Sequence, residues 1–411
     1  MKFQLMAGLA SLVMLGASAS ADEIVFDGFP DFNSHLDVLI PDYEETHPGV
    51  SISYRMNQHG DHHKKLTTNL ATGSGAGDVV VVDVSFVGSF INAGGFENLS
   101  SPEYGADAMS EDFVGYAWSQ GKGADGNQYA IPVDIGPGVM YFRRDLAESV
   151  GADMEKVITD WDSYIEYGRK LKEKNVYLIA DAADVAQIII YTTIKDGEGY
   201  YFDENGKPLV TSERFVKAFS VAKRIRDEGL DGQIQAWTNE WYEGFKNGTV
   251  ATQLSGAWLL GHLQNWMAPD TAGLWGASNL PDGIYGSWGG SFLAIPKQAK
   301  NKKEAWEFIK YLTNTSEAQL AGMKNIGSFP ALTGTYGDAA FEESIDFLDG
   351  QKARLLFAEV ANKVPAVAPR KGDLIADDLV IRGALYEVLN DGKDIEAALR
   401  DAERLIKRRV K

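Results

Sequence analysis

The chain has 411 residues, of which 45% are hydrophobic and 24% are charged, a composition that supports a large core and two domains. Its formal net charge of −19 disfavours nucleic acid, anionic membranes and, more weakly, anionic solutes as partners. The sequence contains no cysteine, which excludes disulfide bonds, thiol catalysis, thiolate metal sites and the cysteine that a lipoprotein anchor requires.

Residues 1–21 have the pattern of a secretory signal peptide. Lys2 gives a positive start, Leu5 to Gly16 form an apolar run, and Ala19-Ser20-Ala21 supplies the small residues that a signal peptidase recognises. We therefore expect a mature chain that begins near Asp22. Because no later apolar stretch reaches the length of a membrane span, we expect this chain to be soluble and unanchored in the periplasm of a Gram-negative bacterium.

The next 60 residues or so alternate between strand and helix patterns. The predicted order is strand, helix, strand, helix and strand, at residues 24–26, 36–43, 50–54, 66–70 and 79–82. This order is typical of an α/β layer with a parallel sheet. The glycine-rich stretch Gly73 to Asp78 follows a helix and precedes a strand, whereas a phosphate-binding loop follows a strand and opens a helix. We interpret it as a turn that ends the helix.

A second α/β region is predicted after Val133. Thr159 to Asp162 resembles a capping box at the start of a helix, and residues 176–180 form an apolar strand. A further helix covers residues 215–225. The tail from Asp394 onward has the spacing of an amphipathic helix that packs against the rest of the protein.

Several segments, taken in order, resemble the family 1 extracellular solute-binding proteins of ABC importers, the group that contains the maltose-binding protein. Each segment is weak evidence alone, but the ordered set covers essentially the whole mature chain. The segments are DVVVVD at 78–83, AIPVDIGPGVMYFRRDL at 130–146, TDWDSYIEYGRKLK at 159–172, NGTVATQLSGAWLLG at 247–261, SWGGSFLAIP at 287–296, KNKKEAWEFIKYL at 300–312 and IGSFPAL at 326–332.

The resemblance implies an α/β fold with two lobes, each a mainly parallel sheet flanked by helices, joined by hinge strands. Carried onto this chain, lobe one is residues 22–132 plus 292–333, and lobe two is residues 137–288 plus 334–411. The hinge crossings then fall at about 133–136, 289–291 and 333–336. The glycines and prolines near the first two crossings agree with this, because such residues set or permit unusual backbone angles.

The resemblance also implies a ligand in the cleft between the lobes, and most similar proteins bind carbohydrates. The nine tryptophans fit this ligand, because an indole covers the apolar face of a sugar while carboxylates and amides bind its hydroxyls. The family implies contacts from Asp134, Gly136, Trp241, Trp258, Trp288, Gly289, Gly290 and Phe329. The alternative for each aromatic residue is plain core packing.

Other candidate residues follow predicted strands, because open α/β sheets bind ligands beyond the carboxyl ends of their strands. They are Phe29, Asp31, Asp83 and Asp181, and the alternative for Asp83 is a helix cap. Residues 57–63 lie after the second strand and before the second helix, so His59, Asp61 and His62 are candidates for hydrogen bonds to a sugar. His59 and His63 have the spacing of zinc ligands, but a third ligand is missing, so we expect no metal.

We therefore predict a periplasmic binding protein that captures a small neutral oligosaccharide by hinge closure and delivers it to an ABC permease in the inner membrane. We expect a monomer without a cofactor, without nucleic-acid partners and without enzymatic activity. The alternatives are a binding protein for a polyol or a glycerol phosphate and, less favoured, a secreted glycosidase, which would need two carboxyl groups across the scissile bond.

Overall fold

The computed structural model describes residues 22–195, 198–367 and 370–410. The predicted signal peptide therefore lies outside the described residues. Within these ranges, no helix combines the length and the apolar character that crossing a bilayer requires.

Among the residues that the structure describes, nine strands form the central layer. They are β1 (Asp22–Gly28), β2 (Val50–Met56), β3 (Val79–Asp83), β4 (Ile131–Arg143), β5 (Tyr177–Ile179), β6 (Val250–Gly256), β7 (Trp275–Ser278), β8 (Ser287–Ala294) and β9 (Phe329–Pro330).

The α-helices surround this layer. They are α1 (Phe32–Thr46), α2 (His59–Thr72), α3 (Val84–Asn92), α4 (Gly115–Gln120), α5 (Arg144–Ser149), α6 (Met154–Val157), α7 (Trp161–Lys172), α8 (Ala182–Thr192), α9 (Glu213–Asp227), α10 (Asn239–Lys246), α11 (Leu259–His262), α12 (Lys302–Asn314), α13 (Ser316–Asn325), α14 (Ala353–Ala361), α15 (Asp373–Asp377), α16 (Tyr386–Asn390) and α17 (Ile395–Arg409). Leu263–Met267 and Asp378–Leu385 continue two of these helices as π-helix.

The strand order is β2-β1-β3-β8-β4-β6-β5, and β7 and β9 pair with β4 beside this path. We call β1–β3 with α1–α4, α12 and α13 the first lobe, and β5–β7 with α7–α11 and α15–α17 the second lobe. The predicted α/β fold class is confirmed. Parallel pairing joins β1 to β2, β1 to β3 and β5 to β6, whereas β4 and β8 pair with their neighbours in antiparallel fashion.

Strand β4 crosses the whole molecule without interruption. Its first half pairs with β8 and its second half pairs with β6 and β7, and the register with β8 shifts between Pro132 and Asp134 and again between Ile135 and Pro137. One hydrophobic core continues behind this strand from Phe26 in the first lobe to Trp275 in the second, while a separate core lies within the second lobe. The lobes are therefore connected by shared packing as well as by the crossing strands.

Local sequence patterns are confirmed at several element ends. Gly73 ends α2 in the left-handed conformation, as predicted for the glycine-rich turn. Helix α7 begins where the Thr159 to Asp162 pattern predicts, but its cap is Asp160 rather than Thr159, since Asp160 accepts a hydrogen bond from the backbone N–H of Ser163. Asp394 caps α17 in the same way.

The histidine cluster lies inside helix α2, so its predicted position ahead of the helix is wrong. His62 and His63 are buried, at 3% and 0% exposure. The ring of His62 donates from Nε2 to the carbonyl of Val81 at 2.8 Å. His63 donates from Nδ1 to the carbonyl of His59 and accepts the backbone N–H of Asp83 at Nε2, at 2.8 and 3.0 Å. Both rings thus fix α2 against the end of β3.

Gly136 allows β4 and β8 to approach closely at the centre of the molecule. A Cβ atom at this position would overlap the carbonyl oxygen of Trp288 on β8. Relief would require the two crossing strands to separate, because the obstacle is backbone rather than a flexible side chain.

We predict that Gly136→Ala lowers the free energy of unfolding by about 3 kcal/mol, because it overpacks two backbone segments. The matched change Gly60→Ala, in helix α2 with no atom within 4 Å of the added methyl, should stabilise by about 0.5–1 kcal/mol. Urea denaturation of the three proteins measures both effects. Equal stability of Gly136→Ala and the wild type would contradict the packing argument.

We predict a stability loss in mild acid that depends on His63. Burial lowers its pKa to about 4 from a usual value of 6.5, so the unfolded chain binds the proton more tightly. The stabilisation is fully present above pH 6.5 and is lost as the pH falls through 4, a change of about 3 kcal/mol.

The measurement is the free energy of unfolding between pH 6.5 and 4. His63→Gln should reduce its slope by about one proton, whereas Lys64→Gln, at an exposed neighbouring position with 82% of its side chain accessible, should keep the wild-type slope. An unchanged slope in His63→Gln would show that another group takes up the proton.

Candidate ligand-binding cleft

Three polar residues form a row across the crossing strands. Asp83 on β3 pairs with Ser291 on β8, and Ser291 pairs with Asp134 on β4. Residues directly opposite in a sheet point to the same face, so the three side chains lie together. We call Asp83, Ser291 and Asp134 the carboxylate row. It lies where the first lobe meets the hinge.

Asp134 carries a carboxyl group that is poorly solvated. Burial raises its pKa to about 6, and the nearby charge of Asp83 acts in the same direction, although hydrogen bonds from Ser291 partly oppose this. Its Oδ1 atom is buried without a hydrogen-bond partner in the described part of the chain. A ligand hydroxyl that donated to Oδ1 would satisfy this acceptor.

Asp83 is held by groups of the first lobe. Its Oδ1 caps α3 by accepting the backbone N–H of Ser85 at 2.8 Å, and its Oδ2 lies 3.4 Å from Nε2 of His59. Burial alone would raise its pKa, but the hydrogen bonds from His59 and Ser85 hold it below the usual value. The ring of Phe29 lies 5.0 Å from that of His59 and closes this side of the site.

The indole of Trp258 lies against the hinge backbone. Its Nε1 donates to the carbonyl of Trp288 at 2.7 Å. A Cβ at Gly256 would overlap that carbonyl and the indole, and a Cβ at Gly289 would come within 2.7 Å of Nε1. Gly289 also has a φ of 82°, which favours glycine. These two glycines let the ring lie flat on the crossing strands.

Two further tryptophans extend this surface. Trp237 stacks on Trp258 with centroids 5.7 Å apart and 16° between planes. Trp237 and Trp266 both contact the ring of His262, which lies between them. Trp237 is 53% exposed and Trp266 is 47% exposed. We call Trp237, Trp258 and Trp266 the indole cluster. It offers apolar faces beside the hinge.

One face of helix α8 carries polar residues and approaches the crossing strand β8, where the ring of Tyr191 lies 6.4 Å from that of Trp288. Asp184, Gln187 and Tyr191 share this face and are only partly buried, whereas the flanking residues are core. Burial raises the pKa of Asp184 to about 7. Gln187 donates to the hydroxyl of Tyr191, which donates to Asp377 at 2.7 Å.

The lobes touch on both sides of the hinge. Gln120 of the first lobe donates to the hydroxyl of Tyr200 at 3.1 Å, and α15 packs against α3. On the other side, Nδ1 of His262 lies 3.6 Å from Oδ2 of Asp31. The structure therefore has its lobes drawn together around the carboxylate row and the indole cluster.

Most predicted site residues converge at this junction. Phe29, Asp31, His59 and Asp83 lie on the first-lobe side. Trp258 lies on the second-lobe side, and Asp134, Gly136, Trp288, Gly289 and Gly290 lie on the crossing strands. The role of Gly136 and Gly289 is to permit close backbone approach, whereas Gly290 pairs with Ile135.

Five predicted residues do not present a free side chain to this junction, and we correct their placement. One is His62, whose buried ring bonds to the Val81 carbonyl, and another is Phe329, which pairs with Ile135 but has its ring in the core. Trp241 and Phe329 are 2% exposed and belong to the core. Trp241 is linked to Asp184 through Gln253, because its Nε1 donates to Gln253, which donates to Asp184. The side chain of Asp61 is 74% exposed and pairs with Lys64 on the outer surface of α2.

Asp181 has a structural role. It caps α8 through the backbone N–H of Ala183 and pairs with Arg226 at 3.0 Å, and Arg226 also binds the buried Asp231. The expectation that ligands bind beyond the carboxyl ends of strands cannot distinguish a helix cap from a ligand contact.

Other residues near the junction were not predicted from the sequence, namely Gln120, Asp184, Gln187, Tyr191, Trp237, Tyr200 and His262. A signal exists for α8, since the polar positions 184, 187 and 191 recur at helical spacing in an otherwise apolar segment. The remaining residues come from distant segments that only the fold brings together. No cluster of three or more potential metal ligands occurs among residues 22–195, 198–367 and 370–410.

Comparison with known proteins gives the family. The sequence profile of the bacterial extracellular solute-binding proteins matches residues 39–347. A lactose-binding protein of Rhizobium radiobacter is 26% identical over 390 residues, which cover 87% of this chain and 86% of that protein. An arabinooligosaccharide-binding protein of Halalkalibacterium halodurans is 25% identical over 296 residues, which cover 69% of this chain and 65% of that protein, slightly less than two thirds of its length.

A solved structure agrees with this match over nearly the whole chain. The crystal structure of a family 1 extracellular solute-binding protein superposes with a TM-score of 0.80 and 25% identity, covering 94% of this chain and 99% of the other. The resemblance inferred from the ordered motifs is confirmed, and the chain belongs to the family of bacterial extracellular solute-binding proteins.

Proposed function

We propose that the protein is the sugar-binding component of an ABC importer and that it captures a small neutral oligosaccharide between its lobes. The observation that carries the proposal is the position of the carboxylate row beside the indole cluster at the lobe junction. The names of the relatives, which specify lactose and arabinooligosaccharides, support the same ligand class.

The chemistry of the cleft favours a neutral, hydroxyl-rich ligand. Asp134 and Asp184 offer acceptors with raised pKa values, and Gln187 and Tyr191 add amide and hydroxyl groups. The indole faces suit the C–H face of a pyranose ring. The cleft side chains described above include carboxylates and imidazoles but no guanidinium or ammonium group, which argues against a glycerol phosphate. A polyol is the remaining alternative, although it has no rigid ring face for the indoles.

We propose the lobe boundaries that the resemblance implies, namely residues 22–132 with 292–333 and residues 137–288 with 334–411. Pairing of β9 with Asp134 and Ile135 brings the third crossing, at 333–336, next to the first. A 3-10 helix at Thr333–Gly337 follows directly. Closure would then change dihedral angles at these three places, and a ligand would favour the closed form by its extra affinity for it.

The proposed biological setting is the periplasm, where the monomeric, ligand-loaded form docks on the permease of the importer. We propose that the protein releases its sugar unchanged and uses neither a cofactor nor a metal ion. This rests on the family, whose members are binding proteins. A glycosidase would also need a general acid placed against a scissile bond, in addition to acceptors for hydroxyl groups.

The first experiment is a thermal-shift screen of residues 22–411 with EDTA against neutral mono- and oligosaccharides, polyols and glycerol phosphates. A ligand that binds only the folded state raises the midpoint by mass action. We expect one or a few related sugars to raise it. A response to polyols or glycerol phosphates alone would refute the sugar assignment, and recovery of a cleaved sugar by chromatography would refute the binding-only role.

We predict that Asp134→Asn weakens binding of the identified sugar by about 10- to 100-fold, because it removes a charged acceptor at the ligand. The matched control is Asp162→Asn, whose side chain is 79% exposed on α7. Isothermal titration calorimetry at pH 8 compares the dissociation constants. A wild-type constant for Asp134→Asn would remove this residue from the site.

We predict that Trp237→Ala weakens binding about tenfold, since an aromatic contact contributes roughly 0.5–1.5 kcal/mol. Tyr386→Ala is the control, because Tyr386 is similarly exposed, at 58%, but lies on α16. The melting temperatures of both variants should stay near that of the wild type. A larger loss of affinity in Tyr386→Ala than in Trp237→Ala would show that the indole cluster does not bind the sugar.

A further inference from the structure

His262, the last residue of α11, lies among the three rings of the indole cluster. Its ring centroid is 5.6 Å from Trp237, 5.5 Å from Trp258 and 5.6 Å from Trp266, each in edge-to-face geometry. Its side chain is 18% exposed. A change in the charge of this imidazole therefore alters its electrostatic interaction with all three rings of the indole cluster.

A donor and an acceptor compete for one atom of this ring. The indole N–H of Trp266 donates to Nδ1 of His262 at 3.0 Å, which requires Nδ1 to be unprotonated. Oδ2 of Asp31 lies 3.6 Å from the same nitrogen and can be bonded only if Nδ1 carries a proton. The neutral ring thus binds Trp266 within its own lobe, whereas the protonated ring binds Asp31 across the lobe boundary.

Asp31 is available for this exchange. It precedes α1 with a φ of 79°, and its side chain makes no capping hydrogen bond to that helix. Other charged residues lie on elements around α11, namely Glu240 and Glu243 on α10 and Lys324 at the end of α13. Among the described residues, Asp31 is the acidic group within 4 Å of the His262 ring.

We propose that His262 is a positioning residue that links sugar binding to pH: its protonation exchanges the Trp266 hydrogen bond for an ion pair with Asp31 and favours the closed lobes. The inference rests on the proposed function for its effect on the sugar, but the exchange itself is a property of the free protein. In mild acid the interlobe pair forms and the indole of Trp266 is released towards the ligand.

The sign of the pH effect follows from the two influences on the ring. Burial lowers the pKa of His262 below its usual value of 6.5, and the charge of Asp31 raises it. The rings that bury His262 are those of Trp237, Trp258 and Trp266, which belong to the same lobe and stay with it in both forms. Asp31 belongs to the other lobe, so drawing the lobes together adds its attraction, and the closed form binds the proton more tightly than the open form. Affinity for the sugar should therefore rise as the pH falls below about 6.5. Asp134, with a pKa of about 6, titrates in the same range and can oppose this effect.

The first test uses the ligand-free protein from residue 22, with ¹⁵N-labelled histidine and tryptophan. We expect the Nδ1 resonance of His262 and the indole resonance of Trp266 to shift in one common transition between pH 8 and 5, and Asp31→Asn to move this transition to lower pH. A Trp266 resonance that does not follow His262, or a transition that Asp31→Asn leaves in place, would overturn the exchange.

The second test is a double-mutant cycle with Asp31→Asn and His262→Gln, measured as the dissociation constant of the identified sugar. The cycle cancels the titration of Asp134, because all four proteins contain it. We expect the pair to contribute a coupling factor of about threefold at pH 5.5, within the range for partly exposed ion pairs, and none at pH 8.

The two tests separate the two proposals. A coupling factor near one at both pH values, with sugar binding intact, would overturn the link between His262 and affinity. If no sugar binds but the resonances of His262 and Trp266 shift together, the sugar assignment fails and the hydrogen-bond exchange stands.

Discussion

The packing of the crossing strands depends on the carbonyl group of Trp288. It accepts the indole N–H of Trp258, and a side chain at either Gly136 or Gly256 would overlap it. Three segments that are far apart in the chain thus meet at one oxygen atom. Because backbone cannot yield as a flexible side chain can, the sequence at these positions is restricted to glycine. The close backbone approach at this carbonyl therefore positions both the crossing strands and the Trp258 ring of the indole cluster.

The electrostatics of the cleft follow from what this approach brings together. The crossing strands place Asp134 next to Asp83 with little water, and the second lobe adds Asp184. Carboxylates in such surroundings gain most from neutral hydroxyl donors, which satisfy the acceptors without adding charge. The indole cluster supplies the complementary apolar surface. The cleft thus complements both the apolar face and the hydroxyl groups of a sugar ring. Its two imidazoles, His59 and His262, each lie beside an aspartate.

Much of this fold could be predicted from local patterns. The alternation of apolar strands and amphipathic helices, the helix start at Thr159 to Asp162 and the turn at Gly73 are short-range signals that the structure confirms. The position after a strand places Asp83 at the lobe junction but does not separate a ligand contact from a helix cap, because both Asp83 and Asp181 cap the next helix. Asp181 also pairs with a distant arginine, Arg226. Burial of Trp241 could not be predicted for a similar reason, since its ring packs into a core built from distant segments of both lobes.

The most direct measurement is a crystal structure of the mature chain with the sugar that the screen identifies. We predict a pyranose ring against Trp258 or Trp237, with a hydroxyl group donating to Oδ1 of Asp134 and with the Trp288 carbonyl still bound to the Trp258 indole. A sugar bound at another surface, such as the depression lined by residues 73–78 and Arg55, or a closed cleft in which the carboxylate row does not touch the ligand, would contradict it.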